Sequence, residues 1–392
     1  MKPRPTPAES STPAMTTPPQ PATRPAAVAL AAAVLILLGA SGAAAQLTVS
    51  IAYQGPSAPT NGGTVDPGAA LFVSPGPWAA PGTFWGPAQL GIVPAAYNSA
   101  EVDALSWGRD TPLRRIGPFW GDNYRLFFST DEFANGNGLS APPSVDTEGV
   151  TGWQEASADI QRTQLFMSQT APPACGPYAH RTMFDGDTSA SNPGPRLGLL
   201  EPNPPAPGPD AGDTLDALTA FQQSSAMRLF FSLDAGWVDP LEGGYGNAGT
   251  APGNGIAPGD VLISSGAGSF FVWAPHPLLG LGPDDDLDAL ILWENGNLIF
   301  DPSVSFFDWM SGNQDMLLFS VRRGSPILGQ IDSELGLPIE EGDILSTPSN
   351  TIPNGNPSIF IRAECIGLGT VRTGTDAPFV GFGDDLDAMM VR

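Results

Sequence analysis

Aspartate residues are concentrated at three places in this chain, with a spacing that suits cation binding. Nine of them are candidate metal ligands: Asp213 and Asp216, then Asp284, Asp285, Asp286 and Asp288, then Asp384, Asp385 and Asp387. Carboxylates this close in sequence repel one another, and a hard divalent cation relieves the repulsion by taking several oxygen ligands. The sequence therefore predicts Ca²⁺ binding at these Asp-rich loops.

A second interpretation of the same loops is turn formation. Asp starts turns because its side chain accepts hydrogen bonds from nearby backbone N–H groups. No segment follows the EF-hand pattern of alternating Asp or Asn ligands around a central Gly. The sequence therefore leaves both interpretations open, metal ligand and turn former.

A recurring apolar tetrapeptide with Asp as its second residue occurs at each of these places and once earlier. The copies are Val102–Leu105, Leu215–Leu218, Leu287–Leu290 and Leu386–Met389. Because backbone N–H groups need acceptors wherever they are buried, we expect this Asp to accept them from an adjacent unit and fix its register.

The tetrapeptide begins a longer repeat. A Phe-Phe-Ser or Leu-Phe-Ser run follows at 127–129, 230–232 and 318–320, and an Asp-Ile or Asp-Val pair follows that at 159–160, 260–261 and 343–344. Self-similarity of this kind is the signature of a repeat architecture. The copies are unevenly spaced, which indicates insertions in surface loops because loops tolerate length changes at low entropic cost.

The repeat units are rich in Phe, Val, Ile and Trp, in short runs bounded by Gly, Pro, Asn and Asp. Such runs are typical of β-strands, and each full unit has room for about four of them, the number in a propeller blade. We predict an all-β fold of tandem four-strand units that is propeller-like. A β-sandwich or stacked sheets is the alternative.

The sequence divides into a leader, an N-terminal segment and repeat units. The leader is 1–45, where Lys2, Arg4 and Arg24 precede an apolar run that ends in three alanines, as in a cleaved signal peptide. The apolar run is shorter than the ~20 residues needed to span a bilayer, which disfavours the alternative of an uncleaved anchor. The further boundaries are an N-terminal β segment 46–101, unit 1 with a long Pro-rich insertion 102–214, unit 2 at 215–286, unit 3 at 287–385 and a closing strand 386–392.

The charge of the chain restricts its partners. The formal net charge is −24, and Lys2 is the only lysine. A chain this acidic repels phosphate backbones, so nucleic-acid binding is not expected, and neither is binding to an anionic membrane after signal cleavage. We expect a protein that is secreted, on the cell surface or in the periplasm.

The sequence contains no motif of a serine-nucleophile or zinc-dependent catalytic site. His180 and His276 are the only histidines, and neither Gly-x-Ser-x-Gly nor His-Glu-x-x-His occurs. The two cysteines, Cys175 and Cys365, are a candidate disulfide in an exported protein, and two buried thiols are the alternative.

Three segments resemble tandem segments of uncharacterised exported bacterial proteins. They are Asp-Asp-Leu-Asp-Ala-Leu at 285–290, Leu-Leu-Phe-Ser-Val-Arg-Arg-Gly-Ser-Pro at 317–326 and Gly-Asp-Ile-Leu at 342–345. The resemblance implies an exported, repeat-built protein and supplies no catalytic residues.

The sequence favours a secreted β-repeat protein with a binding or structural role, stabilised by Ca²⁺ and partnered by a carbohydrate or a cell surface. One alternative is a secreted carbohydrate hydrolase, which needs two carboxyl groups about 5–9 Å apart; tryptophans among Gly and Pro (Trp78, Trp85 and Trp120) would be exposed to stack on sugars. A second alternative is a calcium-dependent adhesin or surface component.

Overall fold

Four small antiparallel sheets of four strands each are arranged around a central axis as a four-bladed β-propeller in the computed structural model. The described residues lie between 47 and 391 and are continuous from 249 to 391 apart from residue 307. Before residue 249 the description is interrupted, with the longest gaps at 107–122, 169–179 and 201–211. The predicted all-β, propeller-like fold is confirmed, and the sandwich or stacked sheets considered as the alternative is not adopted.

Two blades come from the first half of the ring, and each runs outward from the axis in chain order. Blade 1 consists of β5 (Ala104–Ser106), β7 (Phe127–Ser129), β9 (Ile160–Thr163) and β11 (His180–Phe184). Blade 2 consists of β12 (Leu215–Gln223), β13 (Ala226–Leu233), β14 (Val261–Ser264) and β15 (Phe270–Ala274).

The other two blades complete the ring, and the last one joins distant parts of the chain. Blade 3 consists of β16 (Leu287–Trp293), β17 (Met316–Val321), β18 (Ile344–Ser346) and β19 (Ser358–Ile361). Blade 4 consists of β20 (Ala388–Val391), β1 (Leu47–Ser50), β2 (Leu71–Val73) and β3 (Gly82–Trp85). In blade 4 the innermost strand β20 pairs antiparallel with β1, with Leu47 opposite Val391 and Ser50 opposite Ala388.

The remaining elements are short and lie outside the blades. Two-strand pairs form between β4 (Ile92–Val93) and β8 (Asn135–Gly136) and between β6 (Asn123–Tyr124) and β10 (Met167–Ser168). The helices are α1 (Pro87–Leu90), α2 (Thr250–Asn254) and α3 (His276–Leu279), with 3-10 turns at Glu155–Ala158, Asp308–Ser311 and Ala363–Ile366. Within the described residues, no helix has the length and apolar character needed to cross a membrane.

The hydrophobic core lies between neighbouring blades. Phe230 of blade 2 and Phe319 of blade 3 belong to one buried cluster, and Phe72 of blade 4 and Ile291 of blade 3 belong to another. Fully burying a side chain of this size contributes about 1.5–3 kcal/mol. Because each cluster is buried only when two neighbouring blades pack together, these apolar residues fix the positions of the blades around the axis.

Candidate functional site

The recurring tetrapeptide lies at the centre of the propeller. Its four copies lead into or begin β5, β12, β16 and β20, which are the innermost strands of the four blades. Each of these strands contacts the innermost strands of the two adjacent blades. Opposite strands also come close to each other across the axis, β12 to β20 and β5 to β16. The axis is therefore narrow and lined by the tetrapeptides.

A β-bulge sets the position of the tetrapeptide Asp in two blades. In blade 2, Leu215 is opposite Leu233 and Leu218 is opposite Phe231, so one strand carries an extra residue. The same shift occurs in blade 3 within Leu287–Leu290. Bulges re-aim side chains, and here the extra residue falls in the segment that contains Asp216 or Asp288.

Six buried aspartates form two groups of carboxylates at the axis. The first acidic cluster consists of Asp216, Asp234 and Asp286, and the second acidic cluster consists of Asp288, Asp385 and Asp387. Within each cluster one carboxylate oxygen of every member lies within 4.8 Å of the others. Each cluster pairs residues of successive blades. Asp216 of blade 2 lies beside Asp286, two positions before the tetrapeptide Asp of blade 3. Asp288 of blade 3 lies beside Asp385, two positions before the tetrapeptide Asp of blade 4.

Several oxygens in these clusters are buried and make no hydrogen bond. They are Oδ2 of Asp216, Oδ1 of Asp286, Oδ2 of Asp288 and Oδ1 of Asp385. An unsatisfied buried polar group costs about 1–3 kcal/mol, and more when it is charged. A bound cation would satisfy these oxygens, and carboxylates are the ligands that Ca²⁺ prefers.

Burial and the repulsion of neighbouring carboxylates raise the pKa values of Asp216, Asp288 and Asp385. For Asp216 the largest cause is burial, followed by the charges of Asp286 and Asp234, and the pKa lies well above its ordinary value. For Asp288 burial again comes first, followed by Asp385. Burial raises the pKa of Asp385 to about 7, although the positive charge of Arg323 lowers it. Without a bound cation, Asp385 therefore titrates near neutral pH.

Two adjacent arginines, Arg322 and Arg323, make different contacts near the acidic clusters. Nη1 of Arg322 contacts Oδ1 of Asp234 and lies 3.5 Å from Oδ2 of Asp286, and the guanidinium lies 5.4 Å from the ring centre of Trp237. The guanidinium of Arg323 lies 3.5 Å from Asp239 and donates to the carbonyl of Gln54 at 3.1 Å, whereas its backbone N–H donates to Oδ2 of Asp385 at 2.8 Å.

Three of the predicted ligands lie outside both clusters and bind backbone N–H groups instead. Asp213 accepts hydrogen bonds from the backbone N–H groups of Thr250 and Leu200. Asp285 accepts them from Gly282 and Ile327, and Asp384 accepts them from Ser57 and Gly369. The N···O distances are 2.5–2.8 Å. Each lies three positions before a tetrapeptide Asp, and each joins separate loops. At this position the structure shows the hydrogen bonding of a turn former.

The other predicted ligands are divided between the clusters and the surface. Asp216, Asp286, Asp288, Asp385 and Asp387 are all brought into the clusters. Asp284 is exposed, and its backbone carbonyl accepts a hydrogen bond from Nε1 of Trp237 at 3.3 Å.

The expectation that the tetrapeptide Asp fixes the register is wrong for Asp216 and Asp288, which accept no backbone hydrogen bond in the described part of the chain. The Ser of the Phe-Phe-Ser run has that role instead. Ser232 donates to the carbonyl of Leu287 at 2.8 Å, and Ser129 donates to that of Leu215 at 3.5 Å, in each case across a blade boundary.

Sequence reasoning missed Asp234 and Arg322, which lie two residues after this Ser. The signal was present in the repeat, because Asp131, Asp234 and Arg322 occupy the same position in three successive units. Asp234 and Arg322, which have this position in blades 2 and 3, both reach the first acidic cluster.

Other predicted residues are only partly described. Cys365 is half-buried in the 3-10 turn after β19, with Nη2 of Arg362 3.7 Å from its Sγ. Its candidate partner Cys175 lies outside the described residues, as do the leader 1–45, Trp78 and Trp120, so the disulfide stays a prediction. Trp85, expected to be exposed, is 1 % exposed and packs in the core between blades 4 and 1.

Comparisons of the chain with protein-family models, with curated proteins and with solved structures find no match.

Proposed function

We propose that this chain is an exported propeller with a binding or structural role, held closed by a divalent cation at its axis. The cation site is the second acidic cluster, Asp288, Asp385 and Asp387, and Ca²⁺ is the ion that its chemistry favours. The observation that carries the proposal is the pair of buried, unpartnered oxygens on Asp288 and Asp385 at the centre of the molecule.

The charge around the second acidic cluster supports a cation. Its three members are each at least nine-tenths buried. No Lys, Arg or His side chain forms an ion pair with Asp288 or Asp385 in the described structure, although the charge of Arg323 lowers the pKa of Asp385. Grouped carboxylates of this kind are stable when a hard cation accepts their oxygens.

The position of the cluster gives the cation a structural effect. Asp288 belongs to β16 of blade 3, whereas Asp385 and Asp387 lie before β20 of blade 4. A cation bound to all three would join these blades next to the strand that pairs with β1. A ligand that binds only the folded state stabilises it by mass action.

Export and a surface or carbohydrate partner remain proposals that rest on the sequence. The N-terminal leader and the net charge of −24 support an extracytoplasmic protein. Calcium sites of extracellular modules bind in the range of about 10⁻⁴–10⁻³ M, so a site of moderate affinity would be filled there.

The test is thermal unfolding of the protein isolated after export, in excess EDTA and then in millimolar Ca²⁺. At a free concentration of 100 times Kd, bound Ca²⁺ adds about 2.7 kcal/mol to the free energy of unfolding, which raises Tm. The variant Asp288→Asn should lose this response. Asp284→Asn is the matched control, because Asp284 is a neighbouring exposed Asp outside the cluster. Equal unfolding with EDTA and Ca²⁺ would contradict the proposal.

A further inference from the structure

The outermost strand of blade 2, β15, has an apolar edge that faces solvent. One side of β15 pairs with β14, and no hydrogen bond reaches its other side from the part of the chain that the structure describes. Phe271 is 61 % exposed and Val272 is 38 % exposed. Because successive residues of a strand point to opposite faces, β15 presents an apolar side chain to solvent on each face.

We propose that β15 is a contact between two copies of this chain, which pair antiparallel along this edge and join two copies of blade 2 into one continuous sheet. The contact is independent of the proposed cation site, because β15 is the strand of its blade that lies farthest from the axis.

The outer strands of the other three blades are protected, each in a different way. In blade 1, β11 carries the exposed charge of Arg181. In blade 4, the exposed residues of β3 are the small Gly82 and Thr83. In blade 3, Oδ2 of Asp332 accepts a hydrogen bond from the backbone N–H of Ile359 in β19, at 3.2 Å. Charges and coverings of this kind prevent sheet edges from pairing with other chains, and β15 has neither.

The distribution of charge favours a second copy as the partner. The formal net charge of the chain is −24, but the segment from Val261 to Pro283 contains no Asp, Glu, Lys or Arg. A charged partner would find no ion pair to make with this segment. A second copy brings the same uncharged strand, and two acidic molecules repel each other least where both surfaces are uncharged.

The strand is also complementary to itself. Its sequence is Phe-Phe-Val-Trp-Ala, so every residue is apolar. In a contact with two-fold symmetry, residue i of one copy meets residue j of the other, and j meets i. Aromatic and β-branched residues therefore lie opposite one another, a combination that stabilises antiparallel pairs. The backbone N–H and C=O groups of the open edge gain partners at the same time.

The experiment is sedimentation velocity of the whole protein isolated after export, from about 1 µM to about 1 mM, the range in which weak contacts dissociate. The wild type should become a dimer as its concentration rises. Val272→Lys should weaken dimerisation at least tenfold, because a charge on an edge strand opposes pairing. The matched control is Val380→Lys, since Val380 is 80 % exposed and lies in the loop before β20. It should dimerise like the wild type.

Salt and metal distinguish this contact from other kinds of association. The dimer should become more stable as salt is added, because screening reduces the repulsion between two acidic chains. It should be equally stable in EDTA and in Ca²⁺, so that failure of the cation site leaves it in place. A dimer that dissociates as salt is added, or that forms only with Ca²⁺, would overturn the proposal.

Hydrogen exchange of the wild type keeps the proposal testable if Val272→Lys does not fold. Backbone amides of β15 should exchange more slowly as the protein concentration rises, because pairing gives them hydrogen-bond acceptors. The amides of β19, the outer strand of blade 3, should not change and serve as the internal control. Unchanged exchange in β15 would overturn the proposal.

Two further outcomes of sedimentation would also overturn the proposal. One is a monomer at every concentration. The other is equal dimerisation of the wild type and of Val272→Lys, which would place the contact on another surface. Neither outcome bears on the cation site, which is tested separately by unfolding in EDTA and in Ca²⁺.

Discussion

Ser320 donates a hydrogen bond from its Oγ to the carbonyl oxygen of Leu386, 2.7 Å away, and this bond joins blade 3 to the segment that leads into β20. Ser232 makes the same bond to Leu287 between blades 2 and 3. The side chain that follows each Phe-Phe or Leu-Phe pair therefore sets the height of the next tetrapeptide along the axis, and with it the height of the clustered aspartates.

Replacing Ser320 by Ala should lower the free energy of unfolding by about 1–3 kcal/mol, because the buried carbonyl of Leu386 loses its donor. Chemical denaturation with urea measures this change. Ser311→Ala is the control, since Ser311 is exposed and surface changes usually stay within about 0.5 kcal/mol. Equal small effects of both substitutions would show that the interblade bond contributes nothing.

Asp288→Asn should have opposite effects with and without metal. In EDTA we expect the variant to be more stable than the wild type by on the order of 1 kcal/mol, because a buried carboxylate beside Asp385 is removed. In Ca²⁺ it should be less stable, because a ligand is lost. Paired unfolding curves in EDTA and Ca²⁺ test this, and a variant that is less stable in both conditions would contradict it.

The metal-free protein should lose stability as pH rises from about 4 to about 7. The pKa of Asp385 is raised by burial from 3.8 to about 7, and that of Glu340 is raised by burial from 4.5 to about 7. The folded state therefore binds more protons than the unfolded chain in this window, and the free energy of unfolding falls as these protons are lost.

The same protons oppose calcium. In Ca²⁺ the affinity should rise over the same pH range, because the ligands must be deprotonated. Unfolding measured at a series of pH values in EDTA, together with calcium titrations at each pH, checks both trends. The variant Asp385→Asn should reduce the pH dependence in EDTA, and an unchanged slope would show that other groups cause it.

Gly342→Ala should destabilise the protein by about 1–3 kcal/mol, because a Cβ would lie 2.9 Å from the backbone oxygen of Asp384 and overpack the contact between blade 3 and the segment before β20. The control is Gly253→Ala in α2, where nothing lies within 4 Å of the added Cβ. That change should be neutral or stabilising by up to about 1 kcal/mol. Equal Tm values for Gly342→Ala and the wild type would contradict the steric argument.

Much of the architecture could be read from the recurrence of a few residues. The tetrapeptide and the Phe-Phe-Ser run give the first two strands of a unit, because strand-forming residues recur between turn formers. Of the aspartates before the tetrapeptide, Asp286 and Asp385 lie in the acidic clusters. Which of them face the axis depends on a bulge between Leu215 and Leu218, and a bulge is a property of the paired strands rather than of one segment.

The composition of each cluster could not be predicted from local sequence. Asp216 and Asp286 belong to successive blades, and their approach depends on how the blades are placed around the ring. Arg322 enters the first cluster because of that placement, although neighbouring Arg323 points elsewhere. Trp85 was misjudged for a similar reason: the Gly and Pro residues around it suggested exposure, whereas the packing of blade 4 against blade 1 buries it.

The pairing of β20 with β1 has a consequence for assembly. Blades 1, 2 and 3 each use consecutive parts of the chain, so each can form as soon as its own strands have been synthesised. Blade 4 must wait for β20, and until then β1 presents an open edge of unpaired backbone groups. The β20 strand of a second copy can form the same hydrogen bonds to β1 that the chain's own β20 forms. At high concentration during refolding, this seam is where domain-swapped dimers should arise.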